Sequence, residues 1–227
     1  MIIAVTNRKG GTGKTTLSLH LAAYAAEKEL RTLMVDLDPQ GSLTFAARGF
    51  DMSPAPAVAQ VSMLGLTEAE PLASLYGADL LCASDAVVSG ETSALDALRE
   101  LGQKYDVVVL DTPPTAGKMQ SLGLRAAKKL VFPVEPDVFA THGLSSLYSD
   151  MKATGAEMFI VVNRLRGVCA EQIATAEEIE SAVGGQFAGI LHEREAVRKA
   201  RDRGVPVWRY APAAREWLDV CQRIIGG

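Results

Sequence analysis

The first sixteen residues constrain this chain more than any other stretch. Ile2-Ile3-Ala4-Val5 is apolar throughout and reads as a buried strand. It runs into Asn7-Arg8-Lys9-Gly10-Gly11-Thr12-Gly13-Lys14-Thr15-Thr16, and a helix is expected to begin near Lys14. Strand, glycine-rich turn and helix start together make a phosphate cradle. The glycines let backbone N–H groups point inward without Cβ clashes, and the helix N-terminus favours negative charge. In such a loop the lysine, Lys14, reaches the β- and γ-phosphates, and the following hydroxyl, Thr15, ligates Mg²⁺. The general pattern has glycine six residues before the lysine, and here that position is Arg8.

The rest of the chain is compatible with one domain, residues 1–227, built around that loop. Its 48% hydrophobic content is ample for a core. The net charge of −4 gives no global attraction to nucleic acid, so any such contact needs a local patch. Cys82, Cys169 and Cys221 are far apart and form no Cys-x-x-Cys, which argues against a disulfide framework, a zinc ribbon or an iron–sulfur site. The strand begins directly after Met1, with no signal peptide ahead of it, and no apolar run approaches ~20 residues. A reduced cytoplasmic setting is the expectation.

Alternating strands and helices follow. A helix is expected to Lys28, then a strand Arg31–Val35 ending in Asp36-Leu37-Asp38-Pro39-Gln40-Gly41-Ser42. Carboxylates at the end of a parallel strand beside a phosphate loop sit where open α/β sheets bind ligands. Short helices are expected near Ala57–Met63 and Thr67–Leu75, a strand over Asp79–Ser84 and an amphipathic helix from Thr92 to Lys104. Tyr105-Asp106-Val107-Val108-Val109-Leu110-Asp111-Thr112-Pro113-Pro114 is a second strong motif. Four apolar residues ending in an acid describe a strand that presents Asp111 to Mg²⁺ and to the Thr15 hydroxyl. Further strands are expected at Lys128–Val134, Glu157–Arg164 and Gly185–Leu191, with helices around Thr141–Thr154 and over Glu171–Val183. Lys128 and Lys129 read as the solvated start of their strand. The last segment, Ala213–Gly227, carries an apolar stripe of Trp217, Val220, Cys221, Ile224 and Ile225 and is expected to pack on the core. The fold class is α/β: a doubly wound, mostly parallel sheet with helices on both faces.

Lys9-Gly10-Gly11-Thr12-Gly13-Lys14-Thr15 resembles the loop of the deviant-Walker (MinD/ParA) ATPases, in which Lys9 is an additional signature lysine. With Asp36–Gly41 and Asp111–Pro114 as its two switch regions, the chain is most similar to ParA-type partition ATPases, in a short form with no DNA-reading domain ahead of the loop. The resemblance spans Lys9 to about Gly204. It implies a Mg²⁺-dependent ATP hydrolase, slow and stimulated by a partner. Gly10, Gly11, Thr12, Gly13, Lys14, Thr15 and Thr16 would hold the phosphates. Asp38 would position the attacking water and touch the Mg²⁺ shell, while Asp36 holds the loop. Lys9 would cross a two-fold interface to the phosphates of the partner subunit, giving an ATP-dependent homodimer. Asn163 would meet the adenine edge, or else is a plain turn residue. A Pro-x-x-Pro turn of the family falls at Glu135-Pro136-Asp137. Where relatives often have proline after the last strand this chain has His192, which reads as a polar loop residue.

Arg194, Arg198, Lys199, Arg201 and Arg203 stand against only Glu195 and Asp202 in their segment. Two readings stay open: contact with DNA phosphates, as ATP-bound ParA dimers make, or a solvated helix with internal ion pairs. The resemblance further implies a nucleoid-associated cytoplasmic protein that segregates plasmid, chromosome or other cargo with a ParB-like adaptor. The alternatives are a MinD-like regulator at a membrane surface and a P-loop ligase or synthetase. Against the first, the terminal stripe lacks the lysine-rich polar face of an interfacial helix, so no stable membrane anchoring is expected. Against the second, such enzymes usually lack Lys9.

Overall fold

The computed structural model of the chain describes residues 1–61, 69–84, 91–137 and 154–226. In chain order it runs β1 (Ile2–Val5), α1 (Lys14–Glu27), β2 (Thr32–Asp36), α2 (Ser42–Ala47), β3 (Leu72–Ala73), β4 (Asp79–Leu81), α3 (Glu91–Lys104) and β5 (Val107–Asp111). It continues with α4 (Lys118–Ala126), β6 (Lys129–Val134), β7 (Glu157–Leu165), α5 (Ala170–Val183), β8 (Phe187–His192), α6 (Glu195–Asp202), α7 (Val207–Tyr210) and α8 (Glu216–Gly226).

The strands form one sheet in the order β3-β4-β2-β5-β1-β6-β7-β8. Every pairing is parallel except β3 with β4 at the edge. The central strands β1, β2, β5 and β6 are buried along their whole length, which is why they read as continuous apolar runs rather than alternating ones. Successive side chains still point to opposite faces. Ile3 and Val5 join the core under α1, α7 and α8, with Leu17, Leu21 and Trp217. Ile2 and Ala4 join the other core, with Leu98 of α3, Leu122 of α4 and Ile179 of α5.

Several expectations need correction. The helix near Thr67–Leu75 is not formed over the described part of that stretch; Leu72–Ala73 is the antiparallel edge strand instead. The helix near Ala57–Met63 is a single 3₁₀ turn, Ala57–Ala59, within the described residues. Lys129 is not solvated: it is 6% exposed, and its ammonium donates to the Ile224 carbonyl at 2.7 Å, beside the Phe159 ring. A cation at the carboxyl end of α8 is favoured by the helix dipole, which compensates for its burial. Helices α4 and α7 were not anticipated. The helix around Thr141–Thr154 lies outside the described residues, apart from Thr154.

The terminal stripe behaves as expected: Trp217, Val220, Cys221 and Ile224 are buried. Among the described residues no helix is long and apolar enough to cross a membrane. The joint between α1 and the C-terminal helices is polar at one point. His20 is fully buried, and its ring lies 4.2 Å from the Trp217 ring and 5.5 Å from the Trp208 ring. Its Nδ1–H donates to the Thr16 carbonyl at 2.6 Å, and Nε2 accepts the Val207 N–H at 3.1 Å. That pairing requires the neutral ring, and burial lowers the pKa to about 4. The unfolded chain takes up this proton near 6.5 and the folded one only near 4, so stability contributed above pH 6.5 is lost as pH falls toward 4. The loss is on the order of 3 kcal/mol. In His20→Gln the slope of unfolding free energy against pH over that window should be shallower by roughly 1.4 kcal/mol per pH unit. An unchanged slope in urea titrations would show that His20 is not buried neutral.

Candidate nucleotide site

The site is assembled by strand register. Val5 pairs with Asp111 and Asp111 pairs with Asp36, so β1, β5 and β2 finish side by side. Both carboxylates are fully buried. Asp36 accepts the Thr44 N–H at 2.8 Å and the Thr44 hydroxyl at 2.7 Å, and its other oxygen accepts the Asp38 N–H at 3.2 Å. It ties the start of α2 and the loop after β2 to the sheet. Asp111 accepts the Thr15 hydroxyl at 2.7 Å and the Ser18 hydroxyl at 3.1 Å. Burial raises the pKa of both acids, and the neighbouring Asp36 charge raises that of Asp111 further. Lys14 is buried beside them, and its pKa is lowered by burial and partly restored by Asp111 and Asp38.

The loop after β1 has the backbone its glycines allow. Gly11 and Gly13 have φ of +81° and +93°, a region that side chains other than glycine rarely adopt. A Cβ on Gly13 would also stand 2.2 Å from Asn163 Nδ2. That amide donates to the Thr12 carbonyl at 2.7 Å, while its oxygen accepts the Arg164 N–H at 3.0 Å. Asn163 is therefore a strut under the loop, with one amide proton and one lone pair left to offer. Thr12 is buried and leans on the Lys9 carbonyl. Lys14 Nζ donates to the same carbonyl at 3.3 Å. Asn7 holds the loop from its other end: its oxygen accepts the Lys9 N–H, and its amide donates to the Pro133 carbonyl at 2.8 Å.

Two cavities open over this loop. One, of about 440 Å³, is lined by Gly10, Gly11, Lys14, Thr15, Asp38 and Pro114 among others. It brings together the residues expected at the phosphates. The second, about 560 Å³, is walled by Asn163, His192, Glu193 and Trp217 among others. The donor set fits a hard divalent cation: the Thr15 hydroxyl and the carboxyl groups of Asp111 and Asp38 are all oxygen, and Asp111 is buried beside a second acid with its pKa raised, a group that a bound cation would hold ionised. These are the residues that would hold Mg²⁺. When bound, the cation would supply neutralisation of phosphate charge.

Lys9 stands apart. It is half exposed and does not line the phosphate cavity. Its ammonium is bound by Asp137 and lies 3.5 Å from Glu135, which raises its pKa, Asp137 contributing most. Glu135 is shared with Arg164 at 2.9 Å. Arg164 has a φ of +60°, held by the bulge where β7 meets β8. The basic segment is also paired. Arg194 meets Glu216 at 2.8 Å, Arg198 meets Glu195 and Asp202, and Lys199 meets Glu195 at 3.2 Å. Arg201 meets Asp202 at 3.1 Å, and Arg203 lies over the Tyr210 ring. Each basic side chain thus has a local partner, although cations outnumber acids in the segment.

A family profile described as an AAA domain matches residues 1–160. The Cell division protein PomZ of Myxococcus xanthus is 32% identical over 239 residues, covering 94% of this chain and 73% of that protein. The chain belongs to the ParA-type deviant-Walker P-loop ATPases. The Chromosome-partitioning ATPase Soj of Thermus thermophilus is 34% identical over 165 residues, covering 68% of this chain and 62% of that relative's length. The fold is also that of the septum site-determining protein MinD of Pyrococcus horikoshii, solved with Mg-ADP, at a TM-score of 0.82, 19% identity, and coverage of 98% of this chain and 95% of that one. Nucleotide and Mg²⁺ binding are thus properties of this fold family.

The buried acid pair sets up a test. A carboxyl whose folded pKa is raised is most stable when protonated, and that stability is lost as pH rises through the folded value. Asp111→Asn should therefore raise the melting temperature of the nucleotide-free ATPase at pH 7.5, by about 2–4 °C for each kcal/mol of repulsion relieved. It should at the same time remove the further stabilisation given by Mg-ATP. A lower melting temperature without nucleotide would contradict the proposed electrostatics.

Proposed function

We propose that this ATPase is a nucleotide-timed partition or positioning switch. Two copies close around ATP, the dimer binds DNA without sequence preference, and a ParB-like adaptor stimulates slow hydrolysis. The setting is the cytoplasm, over the nucleoid. The observation that carries the reading is the direction of Lys9. It leaves the loop away from its own phosphate cavity, so an ammonium on a phosphate loop has no phosphate of its own to serve. A second copy would supply one. Lys14 would hold the β- and γ-phosphates, Thr15 and Asp111 the Mg²⁺ side, and Asp38, on the cavity wall, the attacking water.

Asp137 and Glu135 give this switch a resting position. In the single chain they occupy Lys9, so the partner's phosphates must compete for it. Lys9→Ala should leave ATP binding within a few-fold but remove ATP-dependent dimers. Asp137→Asn should do the opposite. It loses one partly exposed ion pair, worth roughly 0.2–1 kcal/mol, so the ATP needed for half-dimerisation should fall by up to about fivefold. Dimers on a sizing column that are indifferent to both changes would count against the sandwich.

The names of the relatives, a chromosome-partitioning ATPase and a cell division protein, support a positioning role and leave the cargo open. The basic segment α6 with its flanking Arg194 and Arg203 is the candidate DNA face. Its ion pairs are exposed and weak, so phosphates can displace the acids. Retention of plain duplex DNA should require ATP, be lost with ADP, and fall steeply with salt. The apolar stripe of α8 faces the core, which disfavours the membrane-surface reading. Binding to anionic liposomes but not to DNA would reinstate it. Amidation or phosphorylation of a small molecule that survives Lys9→Ala would favour a synthetase.

A further inference from the structure

The phosphate cavity and the larger cavity are not separate. Gly13, Thr16, Arg164 and Arg201 line both. A nucleotide with its β- and γ-phosphates on Lys14 and its base in the larger cavity must pass its α-phosphate and ribose through that junction. Two guanidinium groups flank it. Arg164 is matched by Glu135. Arg201 is matched differently: one terminal nitrogen donates to Asp202, while its Nε–H is buried with no acceptor among the described residues. Its guanidinium carbon lies 5.7 Å from the centre of the Phe50 ring, which with Phe45 edges the phosphate cavity. A buried donor without an acceptor costs free energy unless a ligand supplies one. A planar guanidinium is well suited to a phosphate oxygen.

We infer that Arg201 binds the α-phosphate of the nucleotide, and that it is a nucleotide ligand rather than part of the DNA face. This rests on the ATPase reading of the site. Arg201 comes from α6, the same helix that carries Arg198 and Lys199. Filling the junction therefore fixes the helix that presents the candidate DNA contacts. The nucleotide reaches that surface through one side chain, without any change in the sheet.

Arg201→Met keeps the apolar stem against Phe50 and removes the guanidinium, while Arg201→Lys keeps a charge. ADP and ATP affinity should fall about tenfold in R201M, equally for the two nucleotides because both carry the α-phosphate, and less in R201K. Parental affinity in R201M would overturn the assignment. A parent protein that binds neither nucleotide would instead refute the ATPase reading itself. A second measurement needs no variant. Phenylglyoxal modification of the parent protein, mapped by mass spectrometry, should be slowed by ADP at Arg201 and not at Arg203. Equal rates at Arg201 with and without ADP would refute the contact whatever the variants do.

Discussion

Two carboxylates buried side by side are the constraint around which this structure is arranged. Parallel pairing of β2 with β5 sets Asp36 beside Asp111, and pairing of β5 with β1 sets Asp111 beside the phosphate loop. Neither acid can leave, because each ends a strand in the middle of the sheet. Their repulsion is managed by hydroxyls. Thr44 and the Asp38 amide hold Asp36, and Thr15 and Ser18 hold Asp111. The difference between them lies in their partners. Asp36 is enclosed by groups of the segment that follows its own strand, while Asp111 holds Thr15 and Ser18 at the start of α1. The first acid fixes the switch segment; the second waits for positive charge.

The same logic of incomplete neutralisation recurs around the loop. Lys14 gains its field from Asp111, buried behind Thr15, and from Asp38 across a shared cavity. Lys9 lies outside that cavity and is held by a different pair of acids on the turn after β6. The two lysines are five residues apart in sequence yet answer to separate sets of charges. One faces the cavity over the chain's own loop. The other is held by contacts that a stronger anion can replace.

Much of this was legible in the sequence because the motifs are local. The glycines, Lys14, Thr15, Asp38 and Asp111 lie on short stretches whose spacing carries their geometry; the structure brings the glycines, Lys14, Thr15 and Asp38 to one cavity and buries Asp111 behind Thr15. The apolar runs marked the central strands for the same reason. What was not legible depends on contacts far along the chain. Nothing near Lys129 shows that the carboxyl end of α8 will lie over it. Arg201 looks like any member of a charged helix until the fold turns it toward Gly13 and Thr16. Asn163 has the amide expected of a base reader, but its hold on the Thr12 carbonyl is a tertiary fact. The weak signal over residues 69–75 reflects an edge strand of two residues, too short for any periodicity.

The burial of His20 between two indoles has an optical consequence. The chain contains two tryptophans, and both rings contact the one side chain whose proton is given to the Thr16 carbonyl, Trp208 edge-on and Trp217 tilted. Thr16 belongs to the first turn of α1, and Trp217 itself walls the larger cavity. Both tryptophans therefore lie against α1, Trp217 beside His20 and Trp208 beside His20 with its Nε1–H donated to Glu27 at the far end of the helix at 2.9 Å. Trp217 borders the larger cavity, so its emission is an unlabelled reporter placed beside that cavity.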